Sequence, residues 1–270
     1  MSLPSVAISF VKANASGNDF LLVESSEVEN TIPVDIALLT RRMCDRHEGV
    51  GADGVEWISP HATADAAIRL INADGSEAEI SGNGTRCVAA YICAERAKER
   101  ITIQTGAGLK ACVLIARNES EYEFEVAMGK AEIQAELTVK IPGEEVRGIP
   151  VSMGNPHYVM LVPEFADGWQ RKAAEVQRTS EFKHGVNVEM VVIVGRHDVN
   201  TRFFERGVGE TQSSGTGSCA AAVAAMAAGK VDSPVRVHAP GGVQTVRKSE
   251  NLVFLQGSAR LVCRGEFFLS

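Results

Sequence analysis

No run of about 18 apolar residues occurs in this 270-residue chain, so the sequence offers no membrane-spanning helix. The opening MSLPSVAISFVKANASGNDF lacks both a basic n-region and a signal-like apolar run, which argues against export and predicts a cytoplasmic location. Without export, the sequon at Asn118–Ser120 is a chance match. None of the six cysteines (44, 87, 93, 112, 219 and 263) forms a CxxC pair. A zinc ribbon or thioredoxin-like site is therefore unsupported, and reduced, mostly buried thiols are expected. Excess positive charge is missing too: the formal net charge of −7 argues against nucleic acid or an anionic membrane as partner. Solenoid repeats with periods of 20–50 residues are absent.

What the chain does contain is one longer-range repeat. NADGSEAEISGNGTRCVAAYI (72–92) and ERGVGETQSSGTGSCAAAVAA (205–225) each run from a polar, glycine-rich loop into an alanine-rich stretch. Glu77 and Glu210, Ser81 and Ser214, Gly82 and Gly215, Gly84 and Gly217, and Ala89 and Ala222 are all 133 positions apart. GND at 17–19 and GNP at 154–156 are 137 apart. Both offsets are close to half the chain, which predicts two structurally similar halves that join near residues 118–128.

Strand-like runs ending in turn residues occur at 20–24, 66–73, 101–106, 112–117 and 123–129. The second half has its own at 157–162, 186–194, 201–206, 234–240 and 251–257. Helices are predicted over 34–46, 84–98, 170–177 and 216–229. Short strands around one long apolar helix per half make an α+β arrangement rather than a run of βαβ units. GVGADG at 49–54 fits G-x-G-x-x-G literally, but a helical pattern precedes it and a strand pattern follows. A dinucleotide site needs the reverse order, so this is a helix-to-strand turn.

Glycines at a helix start leave backbone N–H groups and the positive end of the helix dipole open to an anion. Ser, Asn and Gly are also ordinary capping residues, but two copies at related places favour a ligand. Other polar residues gather in turns: Asn18 and Asp19, Asn72 and Glu77, Asn155 and His157, Asn187, and Glu205 with Arg206. Together they describe a pocket with a cation, acids and several neutral hydrogen bonders. An amino acid suits it, with the carboxylate at the helix ends, the ammonium at an acid and any distal carboxylate on Arg206.

SGNDF, GVGADG, NADGSE, GNGTRC, GNPH, NVE, ERGVGET and SGTGSCAA, spread in this order over nearly the whole chain, resemble the diaminopimelate epimerase family. The resemblance implies two pseudo-symmetric halves, each a curved, barrel-like and mainly antiparallel sheet around a central helix. It places the halves at 1–122, joined by a C-terminal strand at about 259–270, and at 123–258, with the active site between them. By resemblance, Asn18, Asn72, Asn155, Asn187 and Arg206 hold the distal end of the substrate. Glu205, with Asn72, lies around the reacting amino group. Gly82–Asn83 and Gly215–Thr216 hold the α-carboxylate, and His157 lies close to the acid/base pair. No cofactor or metal is implied, and a homodimer is expected.

The chain departs from the family at one point. The family's two acid/base groups are cysteines, and the matching positions here are Ser81 and Ser214. Cys87 and Cys219 lie further into the predicted helices and read as core residues. A thiol with pKa near 8.5 is readily tuned to a thiolate, whereas a serine hydroxyl is a poor base without a helper. His157 is a helper for one serine at most. The expected reaction is conversion of L,L-diaminopimelate to the meso form by two-base α-proton transfer, in lysine and peptidoglycan precursor synthesis, slowed or lost in this chain through its serines. Three origins fit: a natural epimerase lineage, an engineered Cys-to-Ser variant that traps substrate, or a relative with drifted chemistry. The competing functions are an isomerase or lyase of another amino or hydroxy acid, and a non-catalytic amino-acid-binding relative.

Overall fold

A computed structural model describes residues 7–29 and 35–269. The chain divides into two units, one of residues 1–126 and 257–270 and the other of residues 127–256.

The first unit contains β1 (Ala7–Ala15), β2 (Asn18–Glu24), a single-turn α1 (Ser26–Glu29) and α2 (Ile36–Cys44). Then come β3 (Gly54–Ser59), β4 (Ala66–Asn72), β5 (Glu77–Ala78), α3 (Gly82–Glu95), β6 (Arg100–Thr105), β7 (Gly108–Asn118) and β8 (Glu121–Lys130). The passage to the second unit falls inside β8, so a continuous strand rather than a loop carries the join expected near 118–128.

The second unit contains β9 (Glu132–Ile133), β10 (Leu137–Ile141), β11 (Glu144–Ser152), β12 (Pro156–Leu161) and α4 (Trp169–Gln177). A single 3-10 turn (Ser180–Phe182) leads to β13 (Asn187–Gly195), β14 (Asp198–Glu205), β15 (Gly209–Thr211) and α5 (Gly215–Ala227). β16 (Val235–Ala239), β17 (Gly242–Ser249) and β18 (Leu252–Phe268) complete the chain, with β18 starting in the second unit and ending in the first.

Each unit repeats the other's topology. In the first, β2 pairs in parallel with β3, β3 antiparallel with β4, β4 in parallel with β6 and β6 antiparallel with β7. In the second, β12, β13, β14, β16 and β17 follow the same sequence of parallel and antiparallel pairings. The pairs β1–β2, β1–β18, β4–β5, β7–β8, β9–β11, β10–β11, β11–β12, β14–β15 and β17–β18 are antiparallel, as expected for a mainly antiparallel sheet. In the first unit the strands close into an eight-membered ring, β1–β2–β3–β4–β6–β7–β8–β18 and back to β1. Closure leaves no unpaired strand edge within that ring.

A helix enclosed by strands is apolar or small on every side except where a polar group is paired, as Arg86 of α3 is with Asn83 and Ser16. In α3 the residues 83–90 are buried without interruption, and in α5 so are 218–225. Alanine suits the task because it combines the best helix propensity with the shortest side chain. The helices α2 and α4 cover the opposite faces of their sheets. Leu39 and Met43 of α2 pack with Leu21, Val23, Val55 and Trp57, whereas Ala173 and Val176 of α4 pack with Tyr158, Met160, Val188 and Met190. β2–β3 and β12–β13 are therefore covered on both faces, a fact that governs the site below.

The predicted helices at 170–177 and 216–229 agree with α4 and α5 to within two residues. The helix predicted at 84–98 starts two residues earlier, directly after Ser81, and ends at Glu95. The one predicted at 34–46 runs from Ile36 to Cys44, with Asp35 capping the N–H groups of Ala37 and Leu38; residue 34 lies outside the described residues. GVGADG joins α2 to β3 and is a tight turn, as its order of patterns predicts. A Cβ at Gly49 would lie 2.2 Å from the Arg42 carbonyl oxygen, and Gly51 has φ +78°.

Candidate active site

In the first unit α3 opens on Ser81, whose backbone is extended at φ −120° and ψ 122°. Its Oγ accepts the Gly84 N–H at 3.0 Å, and its carbonyl accepts the Thr85 hydroxyl at 2.7 Å. Such a cap is worth about 1 kcal/mol. A Cβ added to Gly82 would meet nothing within 4 Å, so a ligand can reach the first-turn backbone. Asn83 Nδ2 donates to Asn18 Oδ1 at 2.7 Å, and Asn18 Nδ2 donates to Asp53 at 3.0 Å. Arg46 and Lys12 pair with Asp19, tying the GNDF turn to its surroundings and holding the Asp19 carboxyl below its ordinary range against the opposing effect of burial. Asn72 stays within its own turn, its Nδ2 donating to Ser76 Oγ.

The second unit repeats this arrangement. Ser214 caps α5 at φ −143° and ψ 126° and accepts the Gly217 N–H at 3.2 Å. Asn155 Nδ2 donates to Thr216 Oγ1 at 3.3 Å, and the two residues stand where Asn18 and Asn83 stand in the first unit. The serine's own proton has a destination here: Ser214 Oγ donates to Glu205 Oε2 at 3.3 Å, while Thr211 Oγ1 donates to Glu205 Oε1 at 2.6 Å. Asn187 binds the turn after β14, accepting the Arg206 N–H at 2.9 Å and donating to the Pro156 carbonyl at 3.1 Å. The exposed Arg206 guanidinium donates to the His184 carbonyl.

Behind each helix start lies a buried acid that the motifs did not indicate. Glu189 of β13 accepts or shares a proton with His157 Nδ1 at 2.7 Å, and His157 Nε2 meets Asn155 Oδ1 at 2.9 Å. Because Asn155 Nδ2 faces Thr216, its Oδ1 is the acceptor and Nε2 carries a proton. Both ring nitrogens are therefore engaged within the unit. Burial raises the Glu189 carboxyl, and the nearby Glu205 adds to this, while His157 opposes both. Glu56 of β3 is fully buried, and neither carboxylate oxygen has a hydrogen-bond partner among the described residues. Burial pushes its carboxyl up to about 8.

Glu56 and Glu189 are separated by 133 positions, the offset of the two serines, so the repeat contained the signal that would have found them. A Cβ on Gly84 would lie 1.9 Å from Glu56 Oε1, and one on Gly217 would lie 2.9 Å from Glu189 Oε1. These glycines let the first turn of each helix press against its acid. Cys87 and Cys219 are fully buried inside the helices, and burial raises the Cys87 thiol, so it is not a reactive thiolate. Among the described residues, no group of three or more His, Cys, Asp or Glu side chains could hold a metal ion.

Two serine-capped helix starts, each with an acid beside or behind it inside a strand-wrapped unit, occur on a fold that hosts racemases, epimerases and other isomerases. A hydroxyproline epimerase from Agrobacterium vitis, solved with bound trans-4-hydroxy-L-proline, superposes with a TM-score of 0.70. It is 16% identical, with 98% of this chain and 93% of that one covered. A Bacillus anthracis phenazine biosynthesis protein of the PhzF family gives 0.75 at 15% identity, covering 97% and 99%.

The diaminopimelate epimerase family model matches residues 10–134 and 149–262. The diaminopimelate epimerase of Caldanaerobacter subterraneus subsp. tengcongensis is 35% identical, with 95% of this chain and 98% of the relative covered. That of Pelotomaculum thermopropionicum is 36% identical, covering 96% and 98%. This chain belongs to the diaminopimelate epimerase family, and it is an isomerase of that type.

Proposed function

We propose that this chain converts L,L-diaminopimelate to the meso form by a two-base α-proton transfer, supplying lysine and peptidoglycan precursor synthesis. The observation that carries this reading is the repeated helix start. Ser81 and Ser214, 133 positions apart, each cap a buried helix that starts on a glycine, with open space over Gly82 and the Leu255 side chain over Gly215.

Inverting one carbon requires a base on one face and an acid on the other, and the two serines take these positions. Ser214 has Glu205 as proton acceptor. When Ser214 Oγ takes the α-hydrogen as a proton, its own proton passes to Glu205, and the electron pair left on Cα spreads into the α-carboxylate. First-turn N–H groups at Gly82–Asn83 and Gly215–Thr216 stabilise that charge where it develops. His157, locked by Glu189 and Asn155, supports the pair as an oriented ring. Asn18, Asn72, Asn155, Asn187 and Arg206 hold the distal amino-acid end, with Arg206 binding its carboxylate. A hydroxyl is a far weaker acid than a thiol, so turnover is slow. The same reading makes the protein a cytoplasmic homodimer.

Replacing Ser81→Cys and Ser214→Cys together is expected to raise epimerisation by at least about 100-fold, the scale of one well-placed acid–base group. Either change alone gives much less. Arg206→Ala is expected to abolish the preference for a substrate with a second amino-acid end, measured as the ratio of kcat/KM values. A double-cysteine protein that fails to invert diaminopimelate would overturn the proposal. The serines at both acid/base positions favour one other reading, an isomerase or lyase of a different amino or hydroxy acid. It predicts α-proton exchange without inversion, or loss of water or ammonia.

A further inference from the structure

Glu56 is the one fully buried carboxylate among the described residues with both oxygens unpartnered. An unpaired buried acid costs free energy, which a chain retains where the group is used. Its counterpart Glu189 holds His157. The residue in the matching place in the first unit is Phe20, which lies opposite Gly54 in β2–β3 as His157 lies opposite Asn187 in β12–β13. Glu56 thus has no ring to orient.

Two observations direct it to Ser81 instead. A Cβ on Gly84 would be 1.9 Å from Glu56 Oε1 and 3.3 Å from Ser81 Cβ, so acid and serine flank the same point on the first turn of α3. Ser81 Oγ also accepts the Gly84 N–H, while its own proton has no acceptor among the described residues. The Ser214 proton, in contrast, goes to Glu205. One unit has a serine proton without an acceptor and, against the same helix turn, an acceptor without a proton donor.

We infer that Glu56 is the proton partner of Ser81, as Glu205 is of Ser214. The inference rests on the epimerase reading above. When Ser81 acts as base, the Cα–H bond breaks and leaves its electron pair on the α-carbon. Ser81 Oγ takes that proton while its own moves to the ionised form of Glu56, which grows as the pH rises towards about 8, leaving a neutral carboxylic acid; the protonated form that prevails below that pH serves the reverse direction. In the reverse direction the Glu56 acid returns a proton to Ser81 Oγ as Oγ delivers its own to the α-carbon. Glu56 does not touch substrate; it acts through the serine as a positioning and relay residue.

Glu56→Gln separates this role from a structural one when measured in two backgrounds, the serine chain and the Ser81→Cys/Ser214→Cys protein, by α-proton exchange and epimerisation of L,L-diaminopimelate. A thiol ionises without a relay. Loss of kcat in the serine background is therefore expected to be at least about 100-fold, and at least tenfold greater than in the cysteine background, with KM little changed. Glu56→Leu, which removes the buried acid, is expected to lose the same exchange while melting at a higher temperature; a structural role would lower both together. Equal losses in the two backgrounds, or no loss in the serine chain, would overturn the inference. So would a serine chain with no exchange beside an active double-cysteine protein; that result would end the claim that this chain turns over and keep only the assignment of its site to epimerisation. A double-cysteine protein without epimerase activity would overturn both.

Discussion

The two units place the same serine on the same helix turn and surround it differently. In the second unit Ser214 donates to Glu205, Thr211 holds that carboxylate from the other side, and Glu189 locks His157. In the first, Asn72 occupies the place of Glu205 and bonds within its own turn, while Phe20 occupies the place of His157. The asparagine bonded to the first helix turn, Asn18 or Asn155, is common to both, and so is the buried acid, paired at Glu189 and unpaired at Glu56. The scaffold requirements of strand order, serine cap and glycine clearance are met identically in each unit. The side chains that face each serine differ, so the same backbone device carries different hydrogen-bond partners in the two units.

The largest expected effect tests the partner that the second unit already has. Glu205→Gln keeps the size and the hydrogen bond to Thr211 but cannot accept the Ser214 proton. Exchange should fall by about 10²–10⁴-fold, measured as kcat/KM. An Asn72→Ala change in the first unit should cost much less, because Asn72 offers no base. Comparable losses would mean that the two serines have equivalent partners and would erase the difference between the units.

The second effect concerns the unpaired acid and stability. Burial raises the Glu56 carboxyl from its ordinary 4.5 to about 8, so the folded chain keeps a proton that the unfolded chain has released. The folded state then binds more protons throughout that window, and stability is full below about 4.5 and declines as the pH rises to about 8. Glu56→Leu removes this contribution. Its stability relative to the parent should increase with pH through the window, at ~1.36 kcal/mol for each step of one pH, and reach a gain of a few kcal/mol near pH 8. Chemical denaturation at pH 5 and pH 8 measures the difference. A gain that does not change with pH would show that Glu56 does not titrate there.

The smallest effect distinguishes the two glycines. A Cβ at Gly217 would approach the Phe203 ring and Ser214 Cβ, both at 2.9 Å, whereas one at Gly84 meets chiefly the end of the Glu56 side chain. Gly217→Ala is expected to cost about 1–3 kcal/mol through overpacking. Gly84→Ala should cost less stability, yet displace Glu56 and reduce exchange. Thermal melts and exchange rates on the two variants measure both effects.

Much of the scaffold was legible because its signals are local. Serine followed by glycines and then alanines marks a cap and a buried helix, and the repeat at 133 positions shows that the device occurs twice. The elements that escaped carry no cap-and-helix signature of that kind: the strands β1, β10, β11 and β17, the short strands β5, β9 and β15, the single turns at Ser26–Glu29 and Ser180–Phe182, and the full 17-residue length of β18. The buried acids were missed for a different reason. In GVEWIS the acid alternates with Val55 and Trp57, and period-two alternation normally places the polar residue in water. Here both faces of the sheet are covered, by α2 on one side and α3 on the other, so the polar position points into the unit. The resemblance puts Glu205 around the reacting amino group, but its bond to Ser214 depends on the return of β15 along β14, which no motif specifies.

Whether serine, given a carboxylate partner, still moves the α-proton of an amino acid in this chain can be read directly. L,L-diaminopimelate is incubated with the protein in heavy water and its α-positions are followed by NMR. Slow deuterium incorporation at one α-carbon, accompanied by conversion to the meso form, is the expected result. No incorporation at high protein concentration, with substrate measurably bound, would contradict it.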